Sequence, residues 1–392
     1  MKVLILGDTH FGASYSLGKN DTNTYLNTRL IDFSNTFDYV IDYMYNNDIK
    51  HFILTGDIFE HRRPQASELS LFSDKIKKLI DMNIETHIVV GNHDIIREHR
   101  ATTVDVLGSL KLPSINIHSD INGVVIGNKI NVIFFPFRTK EMLDCVTNTE
   151  AVNRLSDHLE YQLKTLNNNL PSIVVGHFMM QGTKIGNVVL EATPREVVLP
   201  ASMFKCVDAV IMGHVHAHMI IKSKKPFITY IGSMECQDFG ESKYDKYFLI
   251  LDTDKMKYTF EKLPVRKIHD ISIDQTFASN GKEASINACK NISHLKLEDS
   301  IVKVTIMINE KCLFDLDREY IKKTLRKQFK VYHCVGIYPQ IFSKRQLRKA
   351  SITEGIDPLI SFNDYLELEE DAILREGMRI IGTQIIKERG KI

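Results

Sequence analysis

The sequence lacks any excess of charge: 50 Lys and Arg stand against 49 Asp and Glu in 392 residues. That balance removes net charge as an argument for a nucleic-acid partner, and it weighs against a protein that coats long stretches of nucleic acid alone. Any attraction to a polyanion must come from local basic patches, bound cations or a partner subunit. Long apolar runs are also missing. No segment approaches about 18 continuous apolar residues, which argues against a membrane span. The opening MKVLILGDTH has a basic residue and a short apolar run, but Gly7, Asp8 and His10 interrupt it before a signal peptide can form. Cysteine is sparse and unpaired: Cys145, Cys206, Cys236, Cys289, Cys312 and Cys334 are scattered with no CxxC. They read as buried reduced thiols of a reducing compartment, so the expectation is a cytoplasmic protein.

What is present is an ordinary globular composition, 43% hydrophobic and 25% charged, in a chain long enough for two or three domains. Apolar runs at residues 3–6, 51–55 and 85–90 read as strands, and residues 30–46 and 66–82 carry helical apolar spacing. Strand, helix, strand, helix, strand predicts an α/β sheet with parallel pairing. The pattern recurs with strands at 129–135, 172–175 and 207–212 and a helix at 153–168. Further strands at 227–231, 247–251 and 257–260 complete the first domain. Pro264 marks a boundary. A strand at 300–308, a charged helix at 317–329 and a strand at 331–338 predict a small α+β domain over 265–345. Residues 363–387 mix apolar and charged positions, interrupted by Gly377 and Gly382.

Five of the apolar runs end in glycine followed by Asp, Asn or His, namely Gly7-Asp8, Gly56-Asp57, Gly91-Asn92, Gly176-His177 and Gly213-His214. Open α/β sheets place ligands at the carboxyl ends of their strands, where glycine lets the chain turn and leaves room for a substrate. Asp8 and His10, two apart in extended chain, can face one ion from one side. Asp57 has two oxygens able to bridge two cations, and Asn92 offers a neutral carbonyl oxygen. His177, His214 and His216 add imidazole nitrogens. Each taken alone also reads as a capping aspartate or a structural histidine, but seven at strand ends read as a site. Mixed oxygen and nitrogen donors suit Mn²⁺, Fe²⁺ or Zn²⁺ better than Ca²⁺. Two ions roughly 3.5 to 4 Å apart clamp phosphoryl oxygens, activate water and offset transition-state charge. His93 is then free to orient the phosphate and protonate the leaving oxygen, with Asp94 fixing its tautomer.

The series Gly7-Asp8-Thr9-His10, Gly56-Asp57, Gly91-Asn92-His93-Asp94, Gly176-His177 and Gly213-His214-Val215-His216 resembles the calcineurin-like metallophosphoesterase superfamily in order and type over roughly the first 250 residues. The start LILGDTHFG, Gly56-Asp57-Ile58-Phe59 before Arg62-Arg63-Pro64, and Tyr230-Ile231-Gly232-Ser233-Met234-Glu235 look like the SbcD-type DNA double-strand-break-repair nuclease subunits. The resemblance implies a metallophosphoesterase fold, a central mixed β-sandwich flanked by helices, over residues 1–264. A small α+β DNA-capping domain would follow over 265–345, then a C-terminal helical segment over 346–392 that binds a partner. It implies that Asp8, His10, Asp57 and His216 hold one Mn²⁺, that Asp57 bridges to a second held by Asn92, His177 and His214, and that His93 assists without holding either. Glu60 stands where some relatives have a substrate-contacting histidine, and His61 follows it, so the role of His61 stays open. The implied partners are DNA, a second copy of the chain through residues 66–82 and 99–111, and an SbcC-like ABC-type ATPase with a coiled coil that takes residues 360–387.

Arg62, Arg63, Arg97, His99 and Arg100 follow the ligand-bearing loops and are candidates for contacts to the DNA backbone, with a solvated basic face as the plain alternative. Lys222, Lys224 and Lys225 are equally ambiguous. Three functions compete: a manganese-dependent DNA exonuclease and endonuclease for repair or recombination, a phosphomonoesterase or cyclic-nucleotide phosphodiesterase on the same scaffold, and a non-catalytic scaffold. Roughly 130 residues beyond the first domain count against a small-substrate enzyme, and the complete ligand set counts against the scaffold.

Overall fold

The computed structural model describes residues 1–96, 101–102, 104–185, 188–342, 362, 366 and 372–389. Arg97, His99 and Arg100 fall outside them, as does most of the segment 346–371. The chain divides into two compact units. The first takes in residues 1–270, 297–302 and 331–335; the second takes in 271–296, 303–330 and 336–392.

The first unit is built on two six-stranded sheets. β1 (Lys2–Leu6), β2 (His51–Leu54), β3 (Glu85–Val89) and β4 (Ile115–His118) run parallel in one of them. The second sheet contains β5 (Asn122–Ile126), β6 (Ile130–Phe135), β7 (Ser172–His177), β8 (Ala209–Gly213), β9 (Met219–Lys222) and β10 (Phe227–Tyr230), in the order β9-β10-β8-β7-β6-β5. β11 (Tyr247–Asp252) and β12 (Lys257–Lys262) then return to the first sheet, which reads β12-β11-β1-β2-β3-β4. Both sheets are mixed: the second has a parallel centre with an antiparallel strand at each edge, and the first is antiparallel only on its β11-β12 side.

Side-chain alternation makes this a sandwich. Val3 and Ile5 of β1 join Val132, Val175 and Ile211 in a core between the sheets. Leu4 and Leu6 point the other way, against α1 (Thr28–Asn46) and α2 (Ala66–Asp81). On the far side, Ile133, Val174 and Met212 pack with Leu155 and Leu159 of α3 (Asn148–Thr165). Strands buried on both faces need continuous apolar sequence, which is why these runs stand out. Phe37 and Phe72 meet edge to face at 6.2 Å beneath α1 and α2. Each is fully buried and contributes about 1.5–3 kcal/mol, so Phe72→Ala would open a cavity costing about 3–5 kcal/mol.

Some elements differ from the sequence expectation. α3 begins at Asn148, not at 153, because Thr147 and Glu150 form a capping box that satisfies the first amides. β9 escapes periodicity because it is an edge strand whose consecutive Ile220 and Ile221 are both exposed. β4 and β5 are similarly short or half exposed.

The second unit holds α4 (Gly281–Asn291), α5 (Arg318–Lys327) and the larger part of a three-stranded sheet formed by β13 (Ile268–Asp274), β14 (Ile301–Ile308) and β15 (His333–Ile341). Its last described element is α6 (Ala372–Arg389), which keeps Leu374, Ile381 and Ile385 more than half exposed.

Candidate dinuclear metal centre

Register brings the predicted residues to one edge. Leu6 of β1 pairs with Leu54 of β2, and Leu54 with Ile88 of β3, so these strands end level and their loops carry Asp8, Asp57 and Asn92. In the other sheet Gly213 of β8 pairs with His177 of β7, which puts His177 and His214 side by side. The loops are laced together: the His10 amide donates to the Asp57 carbonyl at 2.9 Å, and the Met234 amide to the Asp8 carbonyl at 2.8 Å.

All seven expected ligands converge. Asp8, His10 and His216 place donor atoms within 4.8 Å of one another, and so do Asp8, Asp57 and His177. His177 Nε2 lies 2.8 Å from Asn92 Oδ1 and 3.2 Å from Asp57 Oδ2. His214 Nδ1 lies 2.9 Å from the same Asn92 oxygen. His10 Nε2 lies 3.6 Å from the same Asp57 oxygen, Oδ2. Asp57 thus touches both groups. Three of the seven, His10, Asp57 and His214, hold positive φ of 43°, 49° and 88°, a strained backbone of the kind that persists where a site demands it. The glycines are sterically required: a Cβ on Gly91 would overlap Asp57 Oδ1, and one on Gly213 would overlap Asp8 Oδ1.

Each histidine has one ring nitrogen within 3.0 Å of an acceptor outside the cluster. His10 Nδ1 lies 2.9 Å from Glu60 Oε2, and His216 Nδ1 lies 2.9 Å from Glu241 Oε1. His177 Nδ1 is 3.0 Å from the Thr55 carbonyl, and His214 Nε2 is 2.7 Å from Glu196 Oε1. This carboxylate or carbonyl support fixes tautomer and ring orientation in metal-binding histidines. The sequence reading missed Glu60 in this role, and it missed Glu196, Glu241 and Thr55 altogether. Glu241 is itself braced by the buried Lys246 ammonium at 2.6 Å, which also donates to Ser233 Oγ at 2.7 Å. Glu241 is held down to about 2: burial opposes, but the His216 hydrogen bond and the Lys246 charge outweigh it.

The residues fit a pair of divalent cations. Both ring nitrogens of His10 are buried and have no hydrogen-bond partner, although Nε2 lies 3.6 Å from Asp57 Oδ2. Burial alone would raise the Asp57 carboxyl, yet the imidazoles of His177, His10 and His93 hold it well below the ordinary range. Burial would lower His177, but Asp57 and Asp8 push it up to about 9. A field that anionic favours cations, and the oxygen and nitrogen donors suit a transition ion.

His93 donates its amide to Asp57 Oδ1 at 2.8 Å, and its Nδ1 lies 2.6 Å from the Glu60 carbonyl. Asp94 accepts the amides of Asp57, Ile58 and Gly91 at 2.9, 3.0 and 2.8 Å, so it holds the two ligand loops against each other. Burial, then the Asp57 charge, raises its carboxyl against those amides. His61, Arg62 and Arg63 are exposed on the loop after Asp57. Arg62 lines a cavity of about 690 Å³ that opens beside Asn92 and His214.

A family profile described as calcineurin-like phosphoesterase matches residues 1–218, more than half of the chain. The chain belongs to that family. It is a phosphoesterase of the metal-dependent kind, and the sandwich is that fold. Among its relatives, the SbcD component of the SbcCD nuclease of Staphylococcus saprophyticus is 24% identical over 317 residues, 76% of this chain and 78% of that protein. Its counterpart in Staphylococcus epidermidis is 22% identical over 70% of this chain and 78% of that one. The "DNA double-strand break repair protein Mre11" of Haloferax volcanii is 24% identical over 78% of this chain and 61% of that one.

Proposed function

We propose that this phosphoesterase is a manganese-dependent DNA exonuclease and endonuclease acting in repair, recombination or genome processing with an SbcC-like coiled-coil ATPase. The single observation that carries the phosphodiester chemistry is the Asp57 carboxylate, whose Oδ2 lies 3.2 Å from His177 Nε2 and 3.6 Å from His10 Nε2 at the centre of the cluster. The names of the relatives supply DNA as the substrate.

In this reading Asp8, His10, Asp57 and His216 hold one ion, and Asp57, Asn92, His177 and His214 the other. When bound, the ions would supply Lewis-acid clamping of the phosphoryl oxygens and charge neutralisation. The chain's own residues do the rest. His93 Nδ1–H donates to the Glu60 carbonyl, which leaves Nε2 to face the substrate, and the imidazolium form gives its Nε2 proton to the leaving oxygen and becomes neutral. Phe137, packed against the His177 and His214 rings at 6.3 and 5.9 Å, excludes water from one side of the cluster. Arg62 and Arg63, exposed on the loop after Asp57, would meet flanking phosphates.

Residues 265–345 are assigned as a DNA-capping domain, and 346–392 as the ATPase-binding segment. The exposed Leu374, Ile381 and Ile385 on one stretch of α6 support an apolar docking face. Pairing of two copies through residues 66–82 and 99–111 draws support from exposed Leu69 and Leu110. No described helix is long and apolar enough to cross a membrane. Six free cysteines accord with work in a reducing cytoplasm.

His93→Gln tests the reading. Cleavage of linear duplex DNA with Mn²⁺ should fall about 10²–10⁴-fold while both ions still bind. Equal loss of metal would remove the proton-transfer role, and activity confined to a small phosphodiester would remove DNA as the substrate.

A further inference from the structure

Lysine is almost never wholly buried, because its ammonium must exchange water for acceptors inside the protein. Lys246 is 1% exposed. It stands at the entry to β11, where its carbonyl accepts the Leu263 amide at 2.9 Å. The ammonium places its three donors on Glu241 Oε2 at 2.6 Å, Ser233 Oγ at 2.7 Å and the His216 carbonyl at 3.1 Å. Three carboxylates lie against the cluster histidines. Among the described residues, Glu60 and Glu196 form ion pairs with histidine alone, whereas Glu241 pairs with a lysine as well.

The histidine at the end of this chain of contacts is the one that packing grips least. The His216 side chain is 29% exposed, against 1% for His10, 0% for His177 and 13% for His214. Its ring orientation therefore depends on the acceptor at Nδ1, Glu241 Oε1 at 2.9 Å. Its peptide is held too, since the His216 carbonyl accepts the Ser233 amide at 3.1 Å beside the ammonium. One lysine thus reaches His216 by two routes, through the backbone carbonyl and through the carboxylate on the ring.

We infer that Lys246 is a positioning residue for His216, holding its peptide and, through Glu241, its ring in the orientation that presents Nε2 to a divalent cation. The inference rests on the two-ion reading above and adds to it a residue that touches neither ion nor substrate. Without the ammonium, Glu241 is left a buried carboxylate with the His216 ring, the Gln237 amide and the Ser233 hydroxyl as its donors. A buried charge that has lost its partner is strongly unfavourable, so the carboxylate turns to solvent and releases Nδ1. A neutral amide at position 241 has no charge to compensate and still accepts from Nδ1. Glu241→Gln should therefore repair part of what Lys246→Met breaks.

Calorimetric titration of the metal-free full chain with Mn²⁺ tests this on wild type, on Lys246→Met and on the double variant Lys246→Met with Glu241→Gln, each checked for fold by circular dichroism. Wild type should show two binding events. Lys246→Met should weaken one of them about 10–100-fold and leave the other near wild type, since Asn92, His177 and His214 keep their partners. The double variant should recover about tenfold of that loss, which a lysine that only filled space would not allow. Wild-type affinity in Lys246→Met, equal loss of both events, or a double variant no better than the single one overturns the role of Lys246 and leaves the two-ion reading standing. A wild-type chain that binds fewer than two ions overturns that reading and the inference with it. If Lys246→Met does not fold, the double variant decides: it should fold and hold both ions, one of them within about tenfold of wild type. A double variant that binds more weakly than that, or that also fails to fold, overturns the inference.

Discussion

Acid should loosen this fold through two histidines that have no part in the candidate site. His87 of β3 and His118 of β4 lie side by side, with Nδ1 of the first 2.9 Å from Nε2 of the second. Both stack on Phe134, at centroid distances of 5.0 and 3.6 Å, and both are buried. Burial, then the neighbouring His118 and His51, pushes His87 down to about 3. Burial likewise pushes His118 down to about 4, with the Asn122 hydrogen bond opposing. The folded state therefore refuses protons that the unfolded chain accepts near 6.5. Stability is intact above that value and falls as the pH drops below it, continuing until His118 and then His87 titrate in place. At pH 5 the gap is about 1.5 pH units for each histidine, or about 2 kcal/mol each and about 4 kcal/mol together. That is a large share of the roughly 5–15 kcal/mol typical of a domain. Urea unfolding in EDTA from pH 7.5 to 5 should show it. The double variant His87→Gln with His118→Gln should have a flatter profile by about 4 kcal/mol across that range, whatever its absolute stability. Parallel profiles for variant and wild type would refute the reasoning.

Three further outcomes follow from the site. Glu241→Ala frees the His216 ring and should weaken one of two Mn²⁺ binding events about 10–100-fold by calorimetry, leaving the other near wild type. Gly213→Ala forces a methyl group onto Asp8 Oδ1, so a variant with a native circular dichroism spectrum should bind less metal; unchanged binding would show that the loop can yield. Glu60→Ala should weaken the same ion as Glu241→Ala, because Glu60 supports His10, and should leave the His177 side intact.

Much of the centre is legible in the sequence because backbone geometry writes it there. A strand that must end and turn under a ligand leaves apolar residues, a glycine and a donor in succession, as at Gly56-Asp57, where φ is 112° and then 49°. Parallel register then brings distant copies of that signature together without further instruction. The supporting carboxylates carry no such mark. Glu241 sits on a short 3₁₀ turn 25 residues beyond His216, and Glu196 on an irregular loop, so neither periodicity nor spacing points to them. Their placement is a property of tertiary packing. Glu60 was visible as a departure from the family pattern, but its contact with His10 depends on the loop turning inward while His61 stays exposed. Edge strands such as β9 were missed for a related reason: with nothing packed on their outer face, their apolar residues do not alternate.

The central claim is that Asp57 is common to two ion sites, and metal stoichiometry tests it most directly. Equilibrium dialysis against Mn²⁺ with elemental analysis should find two ions per wild-type chain. Asp57→Asn should weaken both together, since its Oδ2 lies 3.6 Å from His10 Nε2 and 3.2 Å from His177 Nε2. One ion per wild-type chain, or an Asp57→Asn protein that keeps one site at full affinity, would contradict the account.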